Sequence, residues 1–118
     1  MAAPRRQHPK TGEVAKSVLK PIGASFTSKN LDLEANRIET ITLPEASPEE
    51  IEQTISVMGG EDWELWIEAL EKERLLNKGA MTVAYSYIGP DITKVVYRQG
   101  TIGKAKDHLE ATAKKLDE

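Results

Sequence analysis

The sequence predicts an α/β protein in which strands and helices alternate within one small domain. An apolar run at residues 81–88, Met-Thr-Val-Ala-Tyr-Ser-Tyr-Ile, ends sharply at Gly89-Pro90. Such a run is typical of a strand covered on both faces, as in a parallel sheet flanked by helices. Before and after it, apolar residues recur at helical spacing. A chain of 118 residues has room for one such domain.

Composition restricts the class of protein. The chain has 16 Lys and Arg against 19 Asp and Glu, 39% hydrophobic residues and no cysteine. These proportions favour a soluble globular protein, and a net charge of −3 argues against nucleic-acid binding. No run approaches the roughly 18 apolar residues of a membrane helix, and the N-terminus lacks the apolar core of a signal peptide. We therefore expect a cytoplasmic protein without disulfides and without a metal site.

Residues 1–36 are predicted to form an arm without long regular elements. Five Pro and Gly residues lie within the first 23 positions, and six of the basic residues lie within the first 30. Because proline removes a backbone donor and fixes its own φ, it disfavours a long helix or strand. A loop of this length is usually functional or displaced from a partner surface. The alternative is a flexible, solvated terminus.

A short strand and a capped helix follow this arm. Residues 37–43 mix β-branched and polar residues and end at Pro44, which predicts a strand. In the sequence from Ser47 to Glu50, serine can cap a helix, proline suits its first position and glutamate completes a capping box. The apolar residues at helical spacing are Ile51, Ile55 and Met58. Gly59-Gly60 is expected to interrupt the helix.

Two more helices complete the order. Trp63 and Trp66 share one apolar face with Ile67 and Leu70, and both tryptophans are predicted to lie in the core. Asn77-Lys78-Gly79 is expected to end that helix. Residues 101–116 then carry Ile102, Ala105, Leu109, Ala113 and Leu116 on one side. With the helix that Gly59-Gly60 interrupts counted once, residues 37–118 should therefore run strand, helix, strand, helix.

Most chemical signatures are missing from the sequence. His8 and His108 lack metal-ligand spacing and are interpreted as surface residues. The acidic residues near Glu49 are interpreted as a solvated helix start. There is no P-loop, no G-x-G-x-x-G motif and no G-x-S-x-G motif.

A tyrosine–lysine constellation follows the apolar run. Tyr87 lies near its end, and Tyr97 and Lys106 come after the turn. Ligands of open α/β sheets bind at the carboxyl ends of strands. A phenol, whose ordinary pKa is near 10, becomes a usable acid or base when a neighbouring ammonium stabilises its anion. An ammonium can also donate to the hydroxyls of a cofactor ribose.

The spacing of these residues sets a geometric condition. Nine residues at about 100° each place Tyr97 and Lys106 on opposite sides of a straight helix. We therefore expect Tyr97 to lie in the turn that enters the helix, where Gly100 and Gly103 can disturb regular winding. On spacing alone, the alternative is a core-capping tyrosine and a surface lysine.

Several blocks of the sequence resemble the trans-2-enoyl-CoA reductase family, the monomeric NADH-dependent enoyl reductases of bacterial fatty-acid metabolism. The blocks lie at residues 2–6, 9–13, 17–23, 57–70, 82–90 and 100–106. The resemblance implies a Rossmann-type, short-chain-reductase-like fold, of which this chain would lack the N-terminal cofactor-binding strands. It also implies NADH as the cofactor and an enoyl-CoA or enoyl-ACP thioester as the substrate. The alternative is an unrelated small α/β binding protein, which the length of the matching blocks argues against.

The resemblance also implies residue roles. Tyr97 and Lys106 match the family's Tyr-x8-Lys signature, so Tyr97 would donate a proton and Lys106 would bind the cofactor and tune the tyrosine. Tyr87 would contact the thioester near its carbonyl. Met1 and Ala2 would pass the nicotinamide side of the cofactor. Hydride would go from NADH to the β-carbon of the substrate.

Two departures from the family pattern shape the expected activity. Lys94-Val95-Val96 stands where the family usually has Trp-Pro-Ile, so a charge replaces an apolar acyl-pocket residue. The family's glycine-rich cofactor turn and the segments after its catalytic helix are not in this sequence. Because a phosphate cradle needs such a turn, we expect a middle part of an enoyl reductase with little or no turnover alone. The alternative is a non-catalytic module that associates with the missing segments, or with itself, through the apolar strand.

Overall fold

The computed structural model describes residues 5–118, which form two antiparallel hairpins, three α-helices and a 3₁₀ turn. The strands are β1 (Arg5–Gln7), β2 (Val14–Lys16), β3 (Phe26–Asp32) and β4 (Arg37–Leu43). The helices are α1 (Pro48–Met58), α2 (Glu61–Lys72) and α3 (Thr101–Asp117), and the 3₁₀ turn is Asp91–Thr93. The predicted mixed α/β class is confirmed. Both sheets of the described residues are two-stranded, so the expected parallel sheet is not found in this part of the chain.

Residues 5–36 contain regular structure, which corrects the expectation of an irregular arm. β1 pairs with β2, and β3 pairs with β4 along seven residue pairs from Phe26↔Leu43 to Asp32↔Arg37. The segment between the hairpins is fixed by distant groups. The Val18 N–H donates to the Thr54 hydroxyl at 3.1 Å. Because that partner lies 36 positions away, the local content of Pro and Gly could not indicate it.

The start of α1 confirms the predicted capping box. The Glu50 N–H donates to the Ser47 hydroxyl at 3.1 Å, and the Ser47 N–H donates to the Glu50 carboxylate at 2.9 Å. Pro48 occupies the first turn. Two donors that would otherwise lack intrahelical partners are thus satisfied by local sequence.

The break between α1 and α2 falls at Gly59-Gly60, as predicted, and it has a tertiary cause. A Cβ at Gly60 would overlap the side chain of Thr112 in α3. The absence of a side chain therefore lets the corner between the two helices approach α3 closely. α2 ends at Lys72, earlier than the expected stop near residue 77.

The tryptophans of α2 are more exposed than predicted. Trp63 is half-buried and donates its indole N–H to the Thr82 hydroxyl at 2.9 Å. Trp66 is 63% exposed, so its predicted place in the core is wrong for the described structure. Trp63, Ile67 and Leu70 are half-buried, but among the described helices and strands α2 packs mainly on α3, which leaves Trp66 exposed.

A small core lies where α1, α3 and residues 17–21 meet. Thr54 and Thr101 are fully buried, and Ile102 and Ala105 lie beside them. The buried hydroxyls are satisfied, because Thr54 donates to the Glu50 carbonyl at 2.8 Å and Thr101 donates to the Val18 carbonyl at 2.6 Å. This core fixes the beginning of α3, which is the part of the helix that carries the candidate site.

Residues 81–88 do not form the predicted strand. They have no regular secondary structure in the described chain, and Met81 and Ile88 are 93% and 99% exposed. No described strand lies alongside them, so their backbone groups lack a ladder partner. The order over residues 37–118 is therefore a strand, two helices, an irregular segment with a 3₁₀ turn, and a helix. Within residues 5–118, none of the helices has the length and apolarity that crossing a membrane would require.

Candidate functional site

Tyr97 and Lys106 come together at the beginning of α3. The Lys106 Nζ lies 5.3 Å from the centroid of the Tyr97 ring, which is a cation–π distance. Because the helix begins at Thr101, Tyr97 lies in the preceding turn and Lys106 lies in the second helical turn. The predicted placement of Tyr97 in the entering turn is confirmed, and it removes the conflict between a spacing of nine residues and a straight helix.

Gly103 lets the turn approach the helix. Its N–H donates to the Tyr97 carbonyl at 2.9 Å, and a Cβ at this position would overlap the backbone of Arg98. Arg98 in turn forms an ion pair with Asp107 at 2.8 Å and donates to the Gly103 carbonyl at 3.2 Å. The position of Tyr97 therefore follows from a close backbone approach that a larger residue would prevent.

Lys106 also connects α3 to the irregular segment. Its Nζ donates to the Ser86 hydroxyl at 2.9 Å and to the Tyr87 carbonyl at 2.5 Å. The Tyr87 side chain is 81% exposed. The backbone at Tyr87 is thus held by the candidate lysine, while its phenol remains accessible to a ligand.

One cavity of about 330 Å³ contains the candidate residues that the structure describes. Tyr87, Tyr97 and Lys106 all line it, together with Ile88, Pro90 and Lys94. Lys94 forms no ion pair with the residues that the structure describes. The other two candidates, Met1 and Ala2, lie outside the described residues.

The donors of this cavity fit the ribose end of a dinucleotide better than its pyrophosphate. An ammonium has three N–H donors, so Lys106 has one left for a hydroxyl ligand. A helix N-terminus can hold a phosphate, but two N–H groups in the first turn of α3 already donate to carbonyls of this chain. The Thr101 N–H donates to the Lys20 carbonyl at 3.0 Å, and the Gly103 N–H is taken by Tyr97. A volume of about 330 Å³ is also at the lower end for ligand pockets.

Both histidines form tertiary contacts, which the prediction of surface residues did not include. His8 Nε2 lies 2.9 Å from the Glu61 carboxylate, and His108 Nδ1 accepts the Gly60 N–H at 3.0 Å. Both side chains are half-buried and hold neighbouring elements in place. Across residues 5–118, no three His, Asp or Glu side chains gather where they could hold a metal ion.

The clearest pKa shifts belong to ion pairs that lie away from the cavity. The Lys20 ammonium, 2.6 Å from Glu50, lowers the pKa of that carboxyl. Hydrogen bonding between Glu64 and Lys115 lowers the pKa of Glu64 and raises that of Lys115. These pairs tie residues 17–21 to α1 and tie α2 to α3, so they have structural roles.

Sequence reasoning missed Ser86. Its neighbour Tyr87 was a candidate, whereas Ser86 lies 20 positions from Lys106 and no spacing rule relates the two. The only available signal was its position within the block at residues 82–90.

Comparisons with known proteins agree over the whole chain. Residues 1–118 match the family model of the trans-2-enoyl-CoA reductase catalytic region. An NADH-dependent enoyl-acyl-carrier-protein reductase of Flavobacterium psychrophilum is 58% identical over 113 residues, which are 96% of this chain and 28% of that protein. A trans-2-enoyl-CoA reductase (NADH) of Ruminiclostridium cellulolyticum is 56% identical over 118 residues, which are 100% of this chain and 30% of that protein.

A solved structure shows the same similarity in three dimensions. The crystal structure of Treponema denticola trans-2-enoyl-CoA reductase in complex with NAD superposes with a TM-score of 0.89 at 54% identity. The match covers 99% of this chain and 29% of that one. This chain therefore spans less than a third of the length of these relatives.

Proposed function

This chain belongs to the trans-2-enoyl-CoA reductase family, and on that premise we propose that it contributes the Tyr97–Lys106 site to an NADH-dependent enoyl reductase. The reaction is reduction of the C2–C3 double bond of an enoyl thioester carried by CoA or by acyl carrier protein. The observation that carries the proposal is the contact of the Lys106 Nζ with the Tyr97 ring, in a cavity that Tyr87 also lines.

NADH, when bound, supplies the hydride that is added to C3 of the substrate. The remaining N–H of Lys106 is suited to a ribose hydroxyl, because the other two donors are committed to Ser86 and Tyr87. Met1 and Ala2 remain proposed contacts on the nicotinamide side. The names of the relatives, which specify NADH, support this choice of cofactor.

Tyr97 is the proposed proton donor. Reduction at C3 gives a thioester enolate, and a phenol O–H can donate a hydrogen bond to its negative oxygen and then supply the proton that C2 takes up. The Lys106 ammonium beside the ring adds a fixed positive charge, which stabilises negative charge as it develops. Tyr87, at the exposed side of the cavity, is the proposed contact of the thioester near its carbonyl.

The finer fold prediction also remains a proposal. We infer that residues 81–88 pair as a strand in a Rossmann-type sheet when polypeptide equivalent to the rest of the relatives is present. Their apolar sequence and their exposure support this, as do the hydrogen bonds that already join Thr82 to α2 and Ser86 to α3. Residues 37–118 then supply the strand–helix–strand–helix unit of a short-chain-reductase-like fold, and residues 1–36 lie on the substrate side.

Substitution of Tyr97 tests its proposed role as proton donor, in a chimera of this chain with a full-length relative. Residues 1–118 replace the equivalent part of the Treponema denticola relative, and NADH oxidation is followed with crotonyl-CoA. The unsubstituted chimera should turn over. Tyr97→Phe keeps the ring and removes the proton, so kcat should fall by about 10²–10⁴. The matched control is Tyr85→Phe, which removes a phenol from an exposed neighbouring position and should retain activity.

Either of two results would contradict the proposal. One is an inactive chimera that is folded by circular dichroism, and the other is a Tyr97→Phe variant as active as its parent. Calorimetric titration of the 118-residue chain with NADH complements this test. We expect no tight binding, because the Thr101 and Gly103 N–H groups at the start of α3 already donate to carbonyls of this chain.

A further inference from the structure

The Lys106 ammonium is held without a carboxylate partner. Lys20 and Lys115 are ion-paired with Glu50 and Glu64, but Lys106 forms no ion pair among the described residues. Its polar partners there are the Ser86 hydroxyl at 2.9 Å and the Tyr87 carbonyl at 2.5 Å. Both acceptors are neutral and adjacent in sequence, so one short stretch of chain fixes the ammonium.

This arrangement determines what the ammonium can still do. A lysine has a flexible four-carbon stem and three donors of tetrahedral geometry. When two donors are committed, the direction of the third is set, and the Tyr97 ring 5.3 Å away limits the space on one side. Loss of one acceptor would free the ammonium to rotate about the remaining bond.

Of the two acceptors that hold Lys106, only the Ser86 hydroxyl can be removed by a side-chain substitution. Ser86 lines the candidate cavity, and it also lines a second cavity of about 200 Å³ that shares Tyr97 and Lys106 with the first. The second cavity has apolar walls that include Met58, Ala105 and Leu109. Alanine at position 86 would remove this hydroxyl acceptor and leave the Tyr87 carbonyl in place.

We propose that Ser86 is a positioning residue that acts through Lys106. Its hydroxyl and the Tyr87 carbonyl hold the ammonium beside Tyr97 and leave one N–H free for a hydroxyl of the cofactor ribose. The use of that third donor rests on the proposed function. The positioning of Lys106 is a property of the chain itself and can be measured without turnover.

Hydrogen exchange of the Lys106 ammonium tests the positioning directly. In the full 118-residue chain, the ¹⁵Nζ-detected exchange rate of Lys106 is compared among Ser86→Ala, Ser86→Thr and Thr82→Ala. Ser86→Ala should exchange at least about fivefold faster, since it loses one hydrogen bond of ordinary strength. Ser86→Thr keeps a hydroxyl and should restore slow exchange. Thr82→Ala is the matched control, because Thr82 anchors the same segment through Trp63, whereas the hydrogen bonds of Lys106 go to Ser86 and Tyr87.

Kinetics of the chimera test the consequence for the reaction. Ser86→Ala should raise KM for NADH by about fivefold, with a smaller change in KM for crotonyl-CoA, whereas Thr82→Ala should change neither. Equal exchange rates in Ser86→Ala and the parent, or an equal acceleration in Thr82→Ala, would overturn the positioning role. An unchanged KM for NADH would overturn the link to the cofactor. An inactive unsubstituted chimera would refute the proposed function, while the exchange rates would still decide the role of Ser86.

Discussion

At Tyr97, a glycine six positions later controls the environment of the phenol. Gly103 offers its N–H to the Tyr97 carbonyl and leaves room for the backbone of Arg98. The turn before α3 therefore folds back on the helix and directs Tyr97 toward Lys106. The catalytic pair that we propose depends on a residue that itself has no reactive group.

Lys94 is the cavity residue that stands where the resemblance to the family leads us to expect an apolar side chain. It lines the cavity with Ile88 and Pro90, and its charge has no ionic partner among the described residues. A long acyl chain that packs there must desolvate an ammonium, which is unfavourable. Lys94 should therefore weaken the binding of long enoyl thioesters relative to short ones.

Restoring an apolar residue tests this expectation. In the chimera, Lys94→Trp should raise kcat/KM for a dodecenoyl thioester about tenfold relative to crotonyl-CoA. In free energy, a tenfold change in this ratio of kcat/KM values corresponds to the burial of about two methylene groups. Lys104→Trp, on an exposed position of α3, is the control. An unchanged ratio between the two substrates in Lys94→Trp would show that the acyl chain does not pass Lys94.

At the scale of the elements, ion pairs join neighbouring parts of the chain in addition to the small core. Glu50 of α1 pairs with Lys20 of the segment that follows β2, and Glu64 of α2 pairs with Lys115 of α3. Each carboxylate has a lowered pKa because its lysine stabilises the charged form. The docking of these elements should therefore depend on pH.

The direction of that dependence follows from the shifts. A carboxyl with a lowered pKa stabilises the fold fully above its ordinary value of 4.5 and loses that contribution as the pH falls through the lowered value. The urea midpoint should therefore decrease between pH 5 and pH 3, and less steeply in Glu50→Gln and Glu64→Gln. Lys115 has a raised pKa, so its contribution should be complete below 10.5 and lost above it. The same acid slope in the parent and both variants would contradict this assignment.

At the scale of the whole molecule, the chain is elongated. Its extents are 57 × 30 × 29 Å and its radius of gyration is 17.4 Å. A globular chain of this length would have a radius of about 13–14 Å. Strands β3 and β4 pack mainly against each other and little against the other helices and strands. Residues 81–88 leave large apolar side chains exposed. Much apolar surface is therefore available for contact with other polypeptide.

This exposed segment predicts self-association of the isolated chain. An unpaired apolar segment is a template for strand pairing, and an added lysine opposes such pairing. Val83→Lys should raise the apparent dimer Kd at least about tenfold, measured by light scattering over a concentration series. Leu33→Lys, which adds the same charge at another exposed apolar position, is the control. Equal association in Val83→Lys and the parent would place the contact elsewhere.

The sequence alone determined the features that depend on residues a few positions apart. The capping box at Ser47, the strand Arg37–Leu43 and the helix Thr101–Asp117 were all predicted from local pattern. The displacement of Tyr97 into the turn before α3 followed from helical geometry, and the similarity to enoyl reductases followed from contiguous blocks.

The tertiary structure decided the features whose partners lie far apart in the chain. The anchoring of Val18 by Thr54, the exposure of Trp66 and the contact of Ser86 with Lys106 each depend on which surfaces meet. Local pattern shows that a residue is apolar or can donate, but burial and pairing require a second surface at the right distance. For the same reason residues 81–88 have a strand-like sequence and yet form no strand, since a ladder needs a neighbouring strand.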